Sequence, residues 1–496
     1  MQSVSPAFIK LCKKIARRPI TIVEVMWDDA NWTSEWNYTI EHSGSLSVAK
    51  PGDELIPPGE MGRASVTLHN STGRFSWLNE DGELYAYIGG VFGLFNKKVR
   101  IKQGFYADVG YSTVTIFTGI IFNWQESGDT VILDLRDMGA ELVQDKRSTL
   151  VLQDKRADEV IRAYATLAGI SDSDMDLDVA TEIIPNSWLD DESLLEEIWE
   201  VARGVGGQAY FDQLGILRFE TSSNWVSKTV CWNFDEDDYT NVRPDYAPDE
   251  LLTKVVVEWS SRYRGQVAEV YSLVEPKLIR PGETLQFEAR FSNPVYAYTG
   301  LESTDYVVLG GNATITLPED RRAAQRCQVV VENTHATLSS TLYTLKIRGY
   351  ALMGGPNEQS VELSTNPPGV PNPDPVQLGI ERMRSSRANM YVQTFTLARA
   401  LAGILLERNR SLTPTWVIEG VPGIPQLEPG DRVGFQDQHH ISTNREGFIV
   451  GISWSCSATA GFTQQLTLLD ASRLYPYKNY YIIGVTKLGP VGRLWH

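Results

Sequence analysis

Between Ile20 and about Asp145 the sequence carries almost no helical period. Lys98 to Gly104, Thr113 to Trp124 and Thr130 to Asp137 alternate apolar with polar residues, the mark of strands with one buried and one wet face. Gln125-Glu126-Ser127-Gly128-Asp129 joins the last two as a hairpin, and His69-Asn70-Ser71-Thr72-Gly73 turns the strand Ala64 to Leu68 into Arg74-Phe75-Ser76-Trp77. A stretch patterned in this way folds as one antiparallel barrel or sandwich, with edge strands that closure or a partner must cover.

A helix precedes it. Ser5 followed by Pro6 is a helix start, and Phe8, Leu11, Cys12 and Ile15 make one stripe against Lys10, Lys13, Lys14, Arg17 and Arg18 before Pro19 closes it. This stripe docks the helix on its own domain, or presents a basic face to an anionic partner. Because the charges interrupt the apolar residues, the segment is no secretory signal, which points to synthesis and folding in the cytoplasm.

Helical period appears after Asp154, where Val160, Ile161, Tyr164 and Leu167 share a face and Gly169 ends it. A second helix follows in Leu194, Ile198, Ala202 and Val205, with Asp190, Asp191 and Glu192 placed to meet the positive end of its dipole. Gly204, Gly206 and Gly207 stop it, and a hairpin turns at Asp212-Gln213-Leu214-Gly215. Between the helices, Asp172 to Asp178 alternates carboxylates but lacks the mid-loop glycine of an EF-hand, so it reads as a solvated loop.

Lys254-Val255-Val256-Val257-Glu258-Trp259 is a buried strand that opens a second β region. Short strands from about Leu273 to Asn366 interrupt it in the manner of a small sandwich, and Pro367 to Pro375 forms a stiff linker. A helix marked by Leu397, Leu401, Ile404 and Leu405 then leads into strands at Trp416 to Glu419, Arg432 to Phe435, Phe448 to Ser455 and Phe462 to Leu469.

The net charge of −17 and pI near 4.9 argue against a nucleic-acid binder, which needs a basic face to displace counterions. No apolar run reaches the roughly 18 residues of a membrane helix, so the chain reads as soluble, globular and without a membrane span. Cys12, Cys231, Cys327 and Cys456 lie in separate segments and read as free thiols. His439 and His440 are adjacent and face opposite sides of any strand, and no ligand cluster completes them. Nucleophile elbows, phosphate-cradling loops and zinc-protease helices are missing from the sequence, and no cofactor is implied. The densest acidic run, Asp235-Glu236-Asp237-Asp238, reads as a connection between domains.

The order of these pieces resembles the baseplate-hub and tail-tip hub proteins of tailed bacteriophages and related injection machines. Val66-Thr67-Leu68-His69-Asn70 with Phe75-Ser76, then Phe117-Thr118-Gly119-Ile120-Ile121, looks like the first barrel of such hubs. Leu427-Glu428-Pro429-Gly430-Asp431-Arg432-Val433, Gly447 to Ser453 and Thr463 to Leu468 resemble the second. The resemblance covers most of the chain, from about Ser3 to Leu469.

The expected architecture is mainly β with an α/β part: two antiparallel β-barrel hub domains, a small α/β domain between them and a sandwich-like insertion. In residues these are an N-terminal helix (1–18), a first barrel (19–145), the α/β domain (146–240), a second barrel (241–272 and 376–470), the insertion (273–366), the linker (367–375) and an aromatic tail (471–496). Two barrels related in shape but not detectably in sequence make two separate cores. The resemblance implies a homotrimeric structural hub, not an enzyme, in the virion tail tip and assembled in the host cytoplasm. Its implied partners are distal-tail or tail-ring proteins, tape-measure protein and a central fibre or tip protein, with DNA passing through unbound. The tail is unusually aromatic where free termini are normally polar, so it packs on its own barrel or docks on a partner or symmetry mate, in which case Tyr480, Tyr481, Leu494 and Trp495 are the expected partner contacts. Two other readings compete. A tail-associated glycan hydrolase needs paired carboxylates, and a carbohydrate- or receptor-binding module would use some of the 13 tryptophans and the insertion.

Overall fold

A computed structural model describes residues 1–14, 17–48, 59–88, 93, 95–235, 238–246, 251–355, 359–364, 383–386, 389–409, 414–437, 441–471, 480–481 and 493–494. The chain is mainly β, in antiparallel sheets, with a smaller helical part. Helix α1 (Pro6–Cys12) begins where the sequence predicts: the Ser5 hydroxyl accepts the Phe8 N–H at 3.2 Å, and Phe8, Leu11 and Cys12 are buried.

Strands β1 (Pro19–Val25), β2 (Thr39–Ser47), β3 (Arg63–His69), β4 (Lys98–Tyr106), β5 (Tyr111–Ser127) and β6 (Thr130–Asp137) pair antiparallel in the order β2-β3-β6-β5-β4-β1. Val131, Leu133 and Leu135 of β6 point inward, and the residues between them are half-buried. Asn70 holds the turn after β3, its side chain accepting the Phe75 N–H at 2.9 Å and donating to the Ser76 hydroxyl at 3.1 Å.

Next in the chain, α2 (Ala157–Leu167), α3 (Leu194–Gly204) and the hairpin β7 (Gln208–Phe211) to β8 (Leu217–Glu220) share a core that includes Val160, Ile161, Tyr164, Ile198, Ala202 and Phe219. Two local expectations change. Leu167 is exposed. Asp190–Ser193 is a strand paired with Lys146–Ser148, so Glu192 sits opposite Arg147, and Glu196 and Glu197 are the acids in the first turn of α3. The segment pairs through its backbone, Arg147 turning its guanidinium to Asp145 at 2.6 Å and Asp190 meeting Arg326 at 3.4 Å.

Strands β9 (Val230–Phe234) and β10 (Asn241–Asp245) follow, then β11 (Lys254–Trp259). The insertion packs β12 (Arg262–Ser272) and β15 (Ser340–Gly354) against β13 (Thr284–Arg290) and β14 (Arg326–Asn333), with Ile279, Ala289, Val329 and Leu345 between them. It rests on the α/β part through Trp188 Nε1 to Gln325 Oε1 at 3.0 Å and Arg326 to Asp190 at 3.4 Å.

The chain completes β16 (Gln359–Ser364), β17 (Met383–Ser386), α4 (Phe395–Asn409), β18 (Thr415–Val421), β19 (Arg432–Asp437), β20 (Ile441–Ser457) and β21 (Gly461–Asp470). Strand β11 pairs with β16 and β17, and Val255 and Val257 bury with Leu401 and Leu405 of α4 in the same core as α2 and α3. The expectation that β11 and α4 belong to the second barrel is therefore corrected. A period-two or period-3.6 stripe shows that a face is buried but not what covers it.

The second β unit has the order β10-β18-β21-β20-β19-β9. Strand β2 pairs with β20, so both units lie in one 13-stranded sheet among the described residues, its path ending at β10 and at Thr33–Ser34. Their apolar side chains are continuous as well: Val66, Phe117 and Leu133 belong to one cluster with Ile418, Trp454 and Leu466. The expected pair of separate cores is one shared core, because the strand at the edge of the first unit is completed by the second.

Candidate assembly surface

The orders β2-β3-β6-β5-β4-β1 and β10-β18-β21-β20-β19-β9 place six strands in the same relation twice. The two differ in the last pair, since β1 meets β4 antiparallel and β9 meets β19 parallel. Centrally the match is residue by residue. Gly119 lies opposite Asp137 as Gly447 lies opposite Asp470, and Ile121 opposite Leu135 as Ile449 opposite Leu468. Each long strand then carries a one-residue bulge, between Ile121 and Asn123 and between Ile449 and Gly451.

Gly119-Ile120-Ile121 thus overlies Gly447-Phe448-Ile449, and Leu133 to Asp137 overlies Leu466 to Asp470, with Leu-x-Leu-x-Asp in both. Reading the two regions as unrelated in sequence missed this repeat, because the intervening hairpin is longer in the second copy and shifts the halves of the motif apart. The glycine has a steric reason: a Cβ at 119 would stand 1.9 Å from the Arg136 carbonyl oxygen. The aspartates bind the end of the meander to an earlier segment. Asp137 accepts the N–H groups of Gly62 and Gly139, and Asp470 accepts Trp416 Nε1 at 3.0 Å. Burial pushes the Asp137 carboxyl up to about 7 against those bonds.

At the junction, β2 meets the outer half of β20 from His42 opposite Cys456 to Ser47 opposite Gly451. Leu46 and Ile452 point into the core with Trp454, which lies across Gly44 so closely that a Cβ there would be 2.4 Å from the indole. The other face is small and polar, Ser43 and Ser45 lying opposite Ser455 and Ser453. His42 is buried beside Thr21 Oγ1 (3.1 Å) and Gln103 Oε1 (3.2 Å), and burial lowers its pKa to about 4, so it stays neutral.

Two edges remain. Strand β10 ends the sheet, and β5 beyond Ile121 has β6 on one side and no strand on the other among the described residues. In the second unit the corresponding half of β20 carries β2.

Elsewhere, three sets of polar groups engage one another. Tyr391 donates its hydroxyl to Glu197 beneath Tyr164, and burial raises Glu197 to about 7. Glu35, fully buried and not singled out by the sequence reading, holds Trp27 Nε1 and Arg74 at 2.9 Å each. The acidic segment expected as a solvated loop is in part a strand, Met175–Leu177 pairing parallel with β8; there Asp176 pairs with Arg218, and Asp178 accepts the Thr221 N–H at 2.8 Å and Asn224 Nδ2 at 3.0 Å. Among the described residues, no group of three or more His, Cys, Asp or Glu gathers as a metal site, and no helix is long and apolar enough to cross a membrane. Cys12, Cys231, Cys327 and Cys456 are free thiols.

Of the expected partner contacts, Tyr480 and Tyr481 pair through the backbone with Arg493 and Leu494. Trp495 lies outside the described residues, as do His439, His440 and the linker 367–375.

No family model and no curated protein matches the chain. Solved structures similar to it include the 43 kDa tail protein of prophage MuSo2 from Shewanella oneidensis, 12% identical, with 92% of this chain and 99% of that chain covered and a TM-score of 0.49. A tail protein from Neisseria meningitidis MC58 is 11% identical, with 92% and 100% covered and a TM-score of 0.49. Prophage tail protein gp18 from Listeria monocytogenes EGD-e is 10% identical, with 90% and 93% covered and a TM-score of 0.44. These are tail proteins, the class that the sequence resemblance names. Likeness at this level decides neither a fold nor an activity, and the chain's own strand order has to carry the functional reading.

Proposed function

We propose that this chain is a structural hub of a bacteriophage tail tip or baseplate, acting by shape and contact and not by catalysis. Three copies would present six β units of one kind, adapting a threefold tip to sixfold tail rings around a passage for DNA or tape-measure protein. The observation that carries this is the repeated strand order within one continuous sheet. A contact already made once inside the chain between unlike edges, repeated head to tail between chains, closes into a ring of six units when each contact turns the next unit by a sixth of a circle.

The small polar face at the junction and the net charge of −17 suit a wall past which a polyanion slides without binding. Tail-ring, tape-measure and central fibre or tip proteins are the proposed partners, the aromatic tail with Tyr480, Tyr481, Leu494 and Trp495 is a proposed contact, and the virion tail tip, assembled in the host cytoplasm, is the proposed location. The test is sedimentation mass with electron microscopy of particles, alone and with tail-ring proteins from the same virion. A trimer with six similar lobes is expected. A chain that stays monomeric at every concentration and does not bind the rings overturns the proposal.

A further inference from the structure

We infer that β10 of one chain pairs antiparallel with the outer half of β5 in a second copy, with Arg243 opposite Ser127 and Asp245 opposite Gln125. This rests on the proposed self-assembly and specifies the surfaces through which it occurs.

The register comes from the contact the chain makes within itself. Across the first unit, Ser43 lies opposite Ser65, Ser65 opposite Asp134, and Asp134 opposite Asn123, the residue after the bulge. Across the second, Arg243 lies opposite Val417, Val417 opposite Thr467, and Thr467 opposite Gly451, again the residue after the bulge. Hence Arg243 stands where Ser43 stands, and Ser127 where Ser455 stands. Inside the chain Ser43 faces Ser455 and Ser45 faces Ser453. Carrying this pairing to the edges that lack it sets Arg243 against Ser127 and Asp245 against Gln125.

The side chains at those edges support a covered surface. The core pair Leu46 and Ile452 of the internal junction has Tyr246 and Trp124 as its counterparts. Tyr246 is 51% exposed and Trp124 only partly covered, T-shaped with Trp27 at 6.3 Å between ring centroids; Phe122, at the bulge on the opposite face beneath Arg136, is 49% exposed. Exposed aromatics along two unpaired strand edges form a liability that pairing with a copy removes. Pro244 takes the place of Gly44 and lends no N–H, so the ladder between chains has one donor fewer than the internal one. The contact joins two different edges, and it can therefore propagate from chain to chain until the ring closes.

Full-length chains carrying Arg243→Cys and Ser127→Cys separately are mixed, oxidised with copper phenanthroline and run without reductant, beside each variant alone. A covalent dimer only in the mixture, and a series ending at three chains when one chain carries both substitutions, are expected. Arg243→Cys with Asn123→Cys, four residues out of register and so roughly 13 Å away along the strand, should not cross-link. Asp245→Cys with Gln125→Cys repeats the test on the same face with independent positions. A trimer by sedimentation in which neither in-register pair cross-links overturns this pairing and leaves the trimer standing. A monomer at every concentration overturns both.

Discussion

The packing of Trp454 over Gly44 ties the two β units together, and a double substitution there measures the tie. A Cβ at residue 44 would lie 2.4 and 2.9 Å from two atoms of the Trp454 indole and 2.7 Å from the Arg63 carbonyl oxygen. Overpacking of this kind costs about 1–3 kcal/mol. Truncating a buried Trp costs about 3–5 kcal/mol, reduced here by roughly 1 kcal/mol because Trp454 Nε1 has no acceptor among the described residues and its burial is already unfavourable. In the Trp454→Ala background two of the three close approaches to that added methyl disappear, so Gly44→Ala should cost about 1–2 kcal/mol less than in the parent. Native-state hydrogen exchange of the β2 and β20 amides, read against urea, gives the four opening energies of the cycle. Trp454→Ala should weaken protection in both units, since its neighbours include Phe117, 6.1 Å away in the first unit. Additivity within about 0.5 kcal/mol, or loss of protection confined to residues 415–470, would refute the shared core.

Three further outcomes follow from buried polar groups. His42, held near 4 in the fold against 6.5 ordinarily, gives stability that is present above pH 6.5 and lost as pH falls toward 4; the parent's unfolding free energy in urea should drop faster than that of His42→Gln across this window, by up to about 1.4 kcal/mol per pH unit, and parallel curves would contradict it. Glu197 has the opposite sign: its pKa is raised from 4.5 to about 7, so its charge destabilises the fold as pH rises through that range. Glu197→Gln should match the parent near pH 4 and exceed it by on the order of 3 kcal/mol at pH 8, and chemical denaturation at the two pH values would expose an equal effect at both. Glu220 accepts Trp225 Nε1 and Lys228 Nζ at 2.6 Å each, and Lys228 reaches the Gly430 carbonyl at 2.9 Å. Glu220→Ala leaves a half-buried lysine without its carboxylate and should cost about 3 kcal/mol, visible as a lower melting temperature; an unchanged one would show that the pair contributes nothing net.

The sequence by itself determined what neighbours along the chain decide. Ser5 and Pro6 start α1, Asn70 sets the turn after β3, glycines stop α3, and period-two alternation marks the strands that bury Val131, Leu133 and Leu135. Each of these is a choice made within a few residues by a cap, a backbone angle or one face. Only the tertiary structure decided the partners of those faces. Strand β11 and helix α4 cover the α/β core and not a second barrel, Asp190–Ser193 becomes a strand because Lys146–Ser148 lies alongside it, and β2 finds β20 across most of the chain's length to fuse two expected cores into one. An apolar stripe carries the same driving force whatever apolar surface it meets. Backbone hydrogen bonds are equally indifferent to sequence, so long-range pairing is settled by which surfaces fit together, and the repeat around Gly119 and Gly447 emerges only when strand register aligns its two copies.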